Sequence, residues 1–302
     1  GRTTGAGGRV RRLSPALPAT VWGPASRSPG GGAGWLFGPG AARPLRIAQA
    51  GMAVLIGLRT ALGPYPALAG QPAALFRPRS VFVVLDAMPP RPAIVAVQVV
   101  GVVAAVAALV AGGRRRPALI VAWGCLFALA GLRGSLGKIL HNDVLLLLAA
   151  LPVVVARVRP ARESVHHGWP VRTALVVTTG AYFFSGLAKL VVSGPAWLAP
   201  SNLSAILVEA AEPGRAPAAA LGLFVAERPA LAALAAAGIL ILELGFPAVL
   251  VSRRARLPFA AGAVAFHAGT WLTLGLDYWC WAAVVALVVP DWSQPRQGRL
   301  RP

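Results

Sequence analysis

Tyr182, Ser185 and Lys189 recur at i, i+3 and i+7 inside the apolar stretch 171–192, which places a phenol, a hydroxyl and an amine on one helix face. Lys189 is one of only two lysines among 29 basic residues, the other being Lys138. An ionisable group in so apolar a run is a functional-site hypothesis by default, because desolvation favours the neutral amine, the form that acts as a general base. The plainer reading is snorkelling: Gly194 and Pro195 break the helix a few residues on, and lysines near helix ends reach for the headgroups.

Two further groups could join that chemistry. The loop Arg133-Gly134-Ser135-Leu136-Gly137-Lys138-Ile139-Leu140-His141-Asn142-Asp143 holds a lysine, a histidine and an acid in eleven residues. Asp143 has Lys138 or Arg133 as prospective partners, and the imidazole of His141 is the group type that exchanges protons near neutrality. Further on, His267, Thr270, Trp271, Leu274 and Tyr278 follow helical spacing, and Asp277 stands near the end of that run. Each has a structural alternative: the loop charges would cap two helices, and His267 would hydrogen-bond between helices. Glu243 reads as an interhelical acid beside a kink, because Pro247 has no N–H to offer its carbonyl.

The elements that position these groups follow from composition. Hydrophobic residues make up 57% of the chain and charged residues 13%, with a mean hydropathy of +0.68, which marks an integral membrane protein. The net charge of +20 is nearly all arginine in short clusters between apolar segments, a topology signal rather than a nucleic-acid surface. Nucleic acid is therefore not an expected partner; the lipid bilayer is. Cys125 and Cys280 match no metal spacing, so neither a metal site nor a disulfide framework is expected. Residues 1–42, rich in Gly, Pro and Arg, read as a disordered basic segment, 43–291 as the transmembrane bundle, and 292–302 as a short basic cytoplasmic tail.

Apolar runs predict an all-α, polytopic bundle of about eight spans, near 45–63, 92–112, 117–133, 142–156, 171–193, 229–251, 257–277 and 278–291. The weaker pieces 73–87 and 203–225 are interrupted by Arg, Pro and Glu and read as interfacial or re-entrant. Ala67-Leu68-Ala69 has the form of a leader cleavage site, but Arg59 interrupts the preceding apolar region, so an uncleaved first helix is expected. With eight alternating spans, Arg114–Arg116, Arg157, Arg159, Arg162, Arg172, Arg253, Arg254 and Arg256 fall on one side with both termini, giving an N-in, C-in topology. Lys189, His141 and Asp143 then lie toward the outer face.

The run Tyr182-Phe183-Phe184-Ser185-Gly186-Leu187-Ala188-Lys189-Leu190 followed by Trp197 resembles a signature of the vitamin K-dependent γ-carboxylases and their wider HTTM (horizontally transferred transmembrane) family. Phe266-His267 with Leu272 and Gly275, and His141 ahead of the apolar run 144–150, are similar to later and earlier parts of that family. The resemblance covers most of 43–290 in order. It implies a multispanning helical bundle of the cell membrane in which Lys189 is the base. In the enzyme reading His141 and His267 assist, and Tyr182, Ser185, Lys138, Asp143 and Asp277 are the candidate substrate contacts, although Asp277 and Tyr278 stand where the carboxylases are mostly apolar. The implied cofactor is vitamin K hydroquinone or menaquinol, with no metal. Carboxylases engage a protein substrate through a large soluble domain that has no counterpart in these residues, so a peptide glutamate is not the expected acceptor. A non-enzymatic alternative is a small-molecule carrier or accessory subunit binding an anion beside Lys189, Arg133 and Lys138. In a third reading the polar residues only pack helices, and Lys189→Met would be tolerated or stabilising.

Overall fold

The computed structural model describes residues 1, 32–112, 115–136, 141–160, 162–290 and 292. The chain divides into two units, 1–35 and 36–302, and the short helix α1 (Gly32–Leu36) begins in the first. Most of the segment 1–42 and of the tail 292–302 expected from composition lies outside the described residues, as does Lys138.

Among its described residues the second unit consists of helices, their connecting turns and one short ribbon, so the all-α expectation holds. Its helices are α2 (Ala42–Leu62), α3 (Arg91–Val110), α4 (Arg115–Gly134), α5 (Val144–Val155), α6 (Val165–Ser193), α7 (Pro200–Ala210), α8 (Ala219–Ala226), α9 (Pro229–Gly245), α10 (Ala248–Val251), α11 (Arg253–Leu274) and α12 (Trp279–Val288). The ribbon pairs β1 (Gly40–Ala41) antiparallel with β2 (Glu163–Ser164), Gly40 facing Ser164. Arg172 holds the same entry in place by donating to the carbonyls of Gly38 and Pro39 at 2.6 and 2.9 Å.

Among the described residues five helical stretches are long and apolar enough to cross a membrane: Ala42–Gly70, Arg91–Val110, Arg115–Gly134, Val165–Leu198 and Arg253–Leu274. A sixth is counted if α8 and α9, bent by 106° at their junction, act as one passage. These fit a membrane protein. α5 and α12, with 12 and 10 residues, reach only about 18 and 15 Å at 1.5 Å per residue, short of a hydrocarbon core of about 30 Å. Outward-facing Val103, Phe184, Leu234 and Ile241 give the bundle an apolar exterior suited to lipid. Inside, small residues let helices approach: a Cβ built on Gly101 of α3 would lie 2.8 Å from Cys125 Cβ of α4.

The breaks have local causes. α9 stops at Gly245 because Pro247 cannot donate to Glu243, whose carbonyl accepts instead from Phe246 N at 3.4 Å. α11 ends on Gly275 in the left-handed region, φ 66°, where an added Cβ would collide with the Arg215 carbonyl. The region 73–87 contains only short 3-10 turns at Ala73–Leu75 and Ser80–Val84, in line with its interruption by Pro and Arg. The weak apolar piece near 203–225 resolves into α7 and α8.

One polar junction ties the bundle together. Arg59, 3% exposed near the end of α2, donates through Nε to Asp143 ahead of α5 and through Nη1 to Asp277 Oδ2, 2.7 Å away, ahead of α12. Arg133 of α4 approaches the other Asp143 oxygen at 4.0 Å. Asn142 Nδ2 donates to the Asp277 carbonyl, so the same two loops are joined twice. Replacing Asp143 by Ala leaves a buried guanidinium with one exposed partner and should destabilise the protein by about 3–5 kcal/mol. Unfolding of detergent-purified protein measures this, and Arg59→Met in the Asp143→Leu background should recover much of the loss.

Candidate functional site

Five helices, α5, α6, α9, α11 and α12, and the turns before α5 and α12 converge on a cavity of about 450 Å³. α6 contributes Tyr182, Ser185 and Lys189 from one face, as their spacing dictates; α9 contributes Glu243 and α11 His267. Tyr278 and Trp281 enter from the start of α12, and His141 from the turn before α5. Trp281 fixes that turn by donating from Nε1 to the His141 carbonyl at 3.1 Å.

Lys189 is not a solitary cation. Its Nζ donates to both oxygens of Glu243 at 2.7 and 2.8 Å and lies 5.3 Å from the centre of the Trp197 ring. Such a two-oxygen contact between an ammonium and a largely buried carboxylate makes the pair neutral as a unit. It forms because α6 and α9 nearly touch: a Cβ on Gly186 would lie 2.9 Å from Glu243 Cβ and 3.1 Å from the Leu244 side chain. Glycine three residues before Lys189 therefore sets the distance over which the ammonium must reach.

A second polar pair faces the first. Tyr182 Oη and His267 Nε2 are 2.7 Å apart and both buried. The Tyr182 ring stacks on Phe246 at 4.2 Å with an interplanar angle of 11° and meets His267 and Trp281 edge-on. Among the described residues His267 Nδ1 has no protein partner. The cavity thus combines aromatic walls, an amine–carboxylate pair and a phenol–imidazole pair. No group of three or more His, Cys, Asp and Glu side chains able to hold a metal ion occurs among the described residues.

Of the residues singled out from sequence, Lys189, His141, His267, Tyr182 and Ser185 line this one cavity. Asp143 and Asp277 do not; they are taken up by Arg59. Lys138 lies outside the described residues. Glu243, assigned to interhelical contact, does join α6 to α9 but also lines the cavity. Arg59 was overlooked as a site element, although an arginine in an apolar helix should have demanded buried acids, and Asp143 and Asp277 stood at plausible loop positions. Thr270 and Tyr278, set on the His267 run by helical spacing, line the cavity too, whereas Trp281 was not singled out because the approach of α12 to α6 is not a local feature.

No family model, curated protein or solved structure matches the chain. The geometry alone therefore describes the site.

The pairing reverses one expectation from sequence. Lys189→Met strands a buried carboxylate and should lower the melting temperature, whereas Lys189→Met with Glu243→Leu should restore it. Circular dichroism melts of the three proteins compare them directly. Gly186→Val, which pushes α6 off α9, should cost about 1–3 kcal/mol in the same assay.

Proposed function

We propose that this is a multi-pass protein of the cell membrane, akin to the carboxylase-like HTTM proteins, that carries out quinol-dependent proton chemistry in the Lys189 cavity. Its topology in this reading is eight passages with both termini on the Arg-rich side, α5 and α12 being short passages in a locally thinned or protein-lined region. The observation that carries the reading is the convergence of Lys189, His141, His267 and Tyr182 on one aromatic-walled cavity. Vitamin K hydroquinone or menaquinol is the proposed reductant; its flat ring suits the Phe266, Tyr278 and Trp281 walls, and its hydroxyl supplies the proton.

The ion pair shapes the mechanism. An ammonium has no lone pair, so Lys189 acts as a base only after passing a proton to Glu243, which the short contacts at 2.7 and 2.8 Å allow. That transfer converts a charged pair into a neutral one, a change that an apolar surrounding favours. With a quinol bound, the freed amine would be the group to take its hydroxyl proton, and the Tyr182–His267 pair would offer the resulting charge one hydrogen bond, from Tyr182 Oη when His267 Nε2 donates to it or from His267 Nδ1 when Tyr182 donates to Nε2. The carrier reading gains less support, since the charge of Lys189 is matched by Glu243 and Arg133 lies near Asp143.

In membranes supplied with reduced quinone and oxygen, Lys189→Ala should abolish oxidised-quinone or epoxide formation followed by chromatography. Glu243→Gln should lower it by at least about tenfold, the scale of losing a general-base element. Unchanged turnover in Lys189→Ala, with the protein present at normal levels, would exclude the proposal.

A further inference from the structure

The opposite end of the bundle carries a second, larger cavity of about 880 Å³. α5 begins beside the Lys189 cavity at Val144, and the chain leaving its other end contributes Arg157 and Arg159 to the second chamber. α2 likewise runs from Arg46 in the chamber to Arg59 in the outer junction. Among the described residues five arginines line it, Arg46, Arg115, Arg116, Arg157 and Arg159, and none of the described lining residues is acidic. Three separate segments supply them: the start of α2, the start of α4 and the exit from α5. Arginines on one side of a membrane protein are accounted for by topology, but topology asks nothing of their convergence around a concavity.

The walls of the chamber are fixed by bonds to the last carbonyls of α5. Gln49 Nε2 donates to Val153 O and Ala156 O at 3.2 and 3.1 Å, and Arg116 Nε donates to Val155 O at 2.8 Å. The backbone N–H of Arg159 donates to His167 Nε2 at 2.9 Å, which sets the course of the exit strand. Gln49 is 1% exposed and lines the chamber, yet its Oε1 accepts from no protein group among the described residues. Exchanging its oxygen and nitrogen would set oxygen against two carbonyls, so the orientation is determined. The chamber therefore offers several guanidinium groups and the positive N-terminal end of α4 on walls that these bonds hold in place.

Guanidinium groups match phosphate oxygens in planar, two-point contacts, and mutual repulsion among five of them is relieved by a bound anion. The volume exceeds that of inorganic phosphate, so the chamber has room for more than the anion itself. We propose that this chamber binds a phosphate group carried by a larger molecule at the membrane surface, with the arginines holding the phosphate. An anionic phospholipid headgroup meets this requirement, as basic pockets between transmembrane helices commonly bind such groups; a soluble phosphate compound is the other source. This site is independent of what the Lys189 cavity binds.

The test uses the full chain purified in neutral detergent, with phosphatidylglycerol, phosphatidylcholine or inorganic pyrophosphate added at constant ionic strength. Phosphatidylglycerol or pyrophosphate should raise the melting temperature saturably, and phosphatidylcholine should not. A response to phosphatidylglycerol alone assigns a lipid headgroup; a response to pyrophosphate assigns a soluble phosphate. Arg46→Gln with Arg157→Gln, both exposed positions, should weaken the effect by at least about tenfold, the scale of losing a charge-assisted bond. Arg43→Gln with Arg254→Gln removes the same charge outside the chamber and should leave it near the wild-type value. No saturable shift with either anion, or equal weakening by the two double variants, overturns the proposal. Native mass spectra of the wild-type chain need no variant: retention of phosphatidylglycerol or pyrophosphate over phosphatidylcholine supports the site, and equal retention overturns it.

Discussion

Burying one guanidinium constrains the whole bundle. Arg59 sits near the end of an apolar helix, and its desolvation is tolerable only if two carboxylates reach it from elsewhere in the chain. Asp143 and Asp277 do so across sequence separations of 84 and 218 residues, which fixes the turn before α5 and the turn before α12 against α2. Those turns are also the ones that deliver His141, Tyr278 and Trp281 to the Lys189 cavity. A charge that never touches the cavity thereby decides the positions of three residues that line it.

Charge is distributed unevenly between the two ends. At the cavity end the described cations Arg59, Arg133 and Lys189 are met by Asp143, Asp277 and Glu243, so buried charge there is balanced by close contact. At the other end arginines crowd a chamber without an acidic residue in its described lining. The first arrangement suits internal proton movement between neighbours with little change in net charge, and the second suits capture of an anion from outside. The helices α2 and α5 run between the two.

How much of this was legible in the sequence depended on the range of the interaction. Helices such as α3 and α4 were plain from uninterrupted apolar runs, because a hydrocarbon core imposes a length on the sequence. The shared face of Tyr182, Ser185 and Lys189 was legible for the same kind of reason: helical periodicity acts within ten residues. The Lys189–Glu243 pair was not, since it depends on two helices crossing at Gly186, and nothing local announces which helix glycine faces. Arg59 was misleading in isolation; it looked like an interruption of a span when it was the point to which distant acids are drawn. The division of α9 from α10 was readable from Pro247 and the break before α9 from Pro229, while the 106° angle between α8 and α9 was not.

Trp281 gives the cavity an optical property of its own. Its indole nitrogen is held by the His141 carbonyl, and its ring lies 5.8–6.0 Å from those of Tyr182, His267 and Tyr278. An electron-poor aromatic ring lodged at that distance would accept excitation from the indole, whereas an aliphatic occupant would not. The same tryptophan that anchors the loop would thus report an aromatic occupant through its own share of the emission of the chain's nine tryptophans.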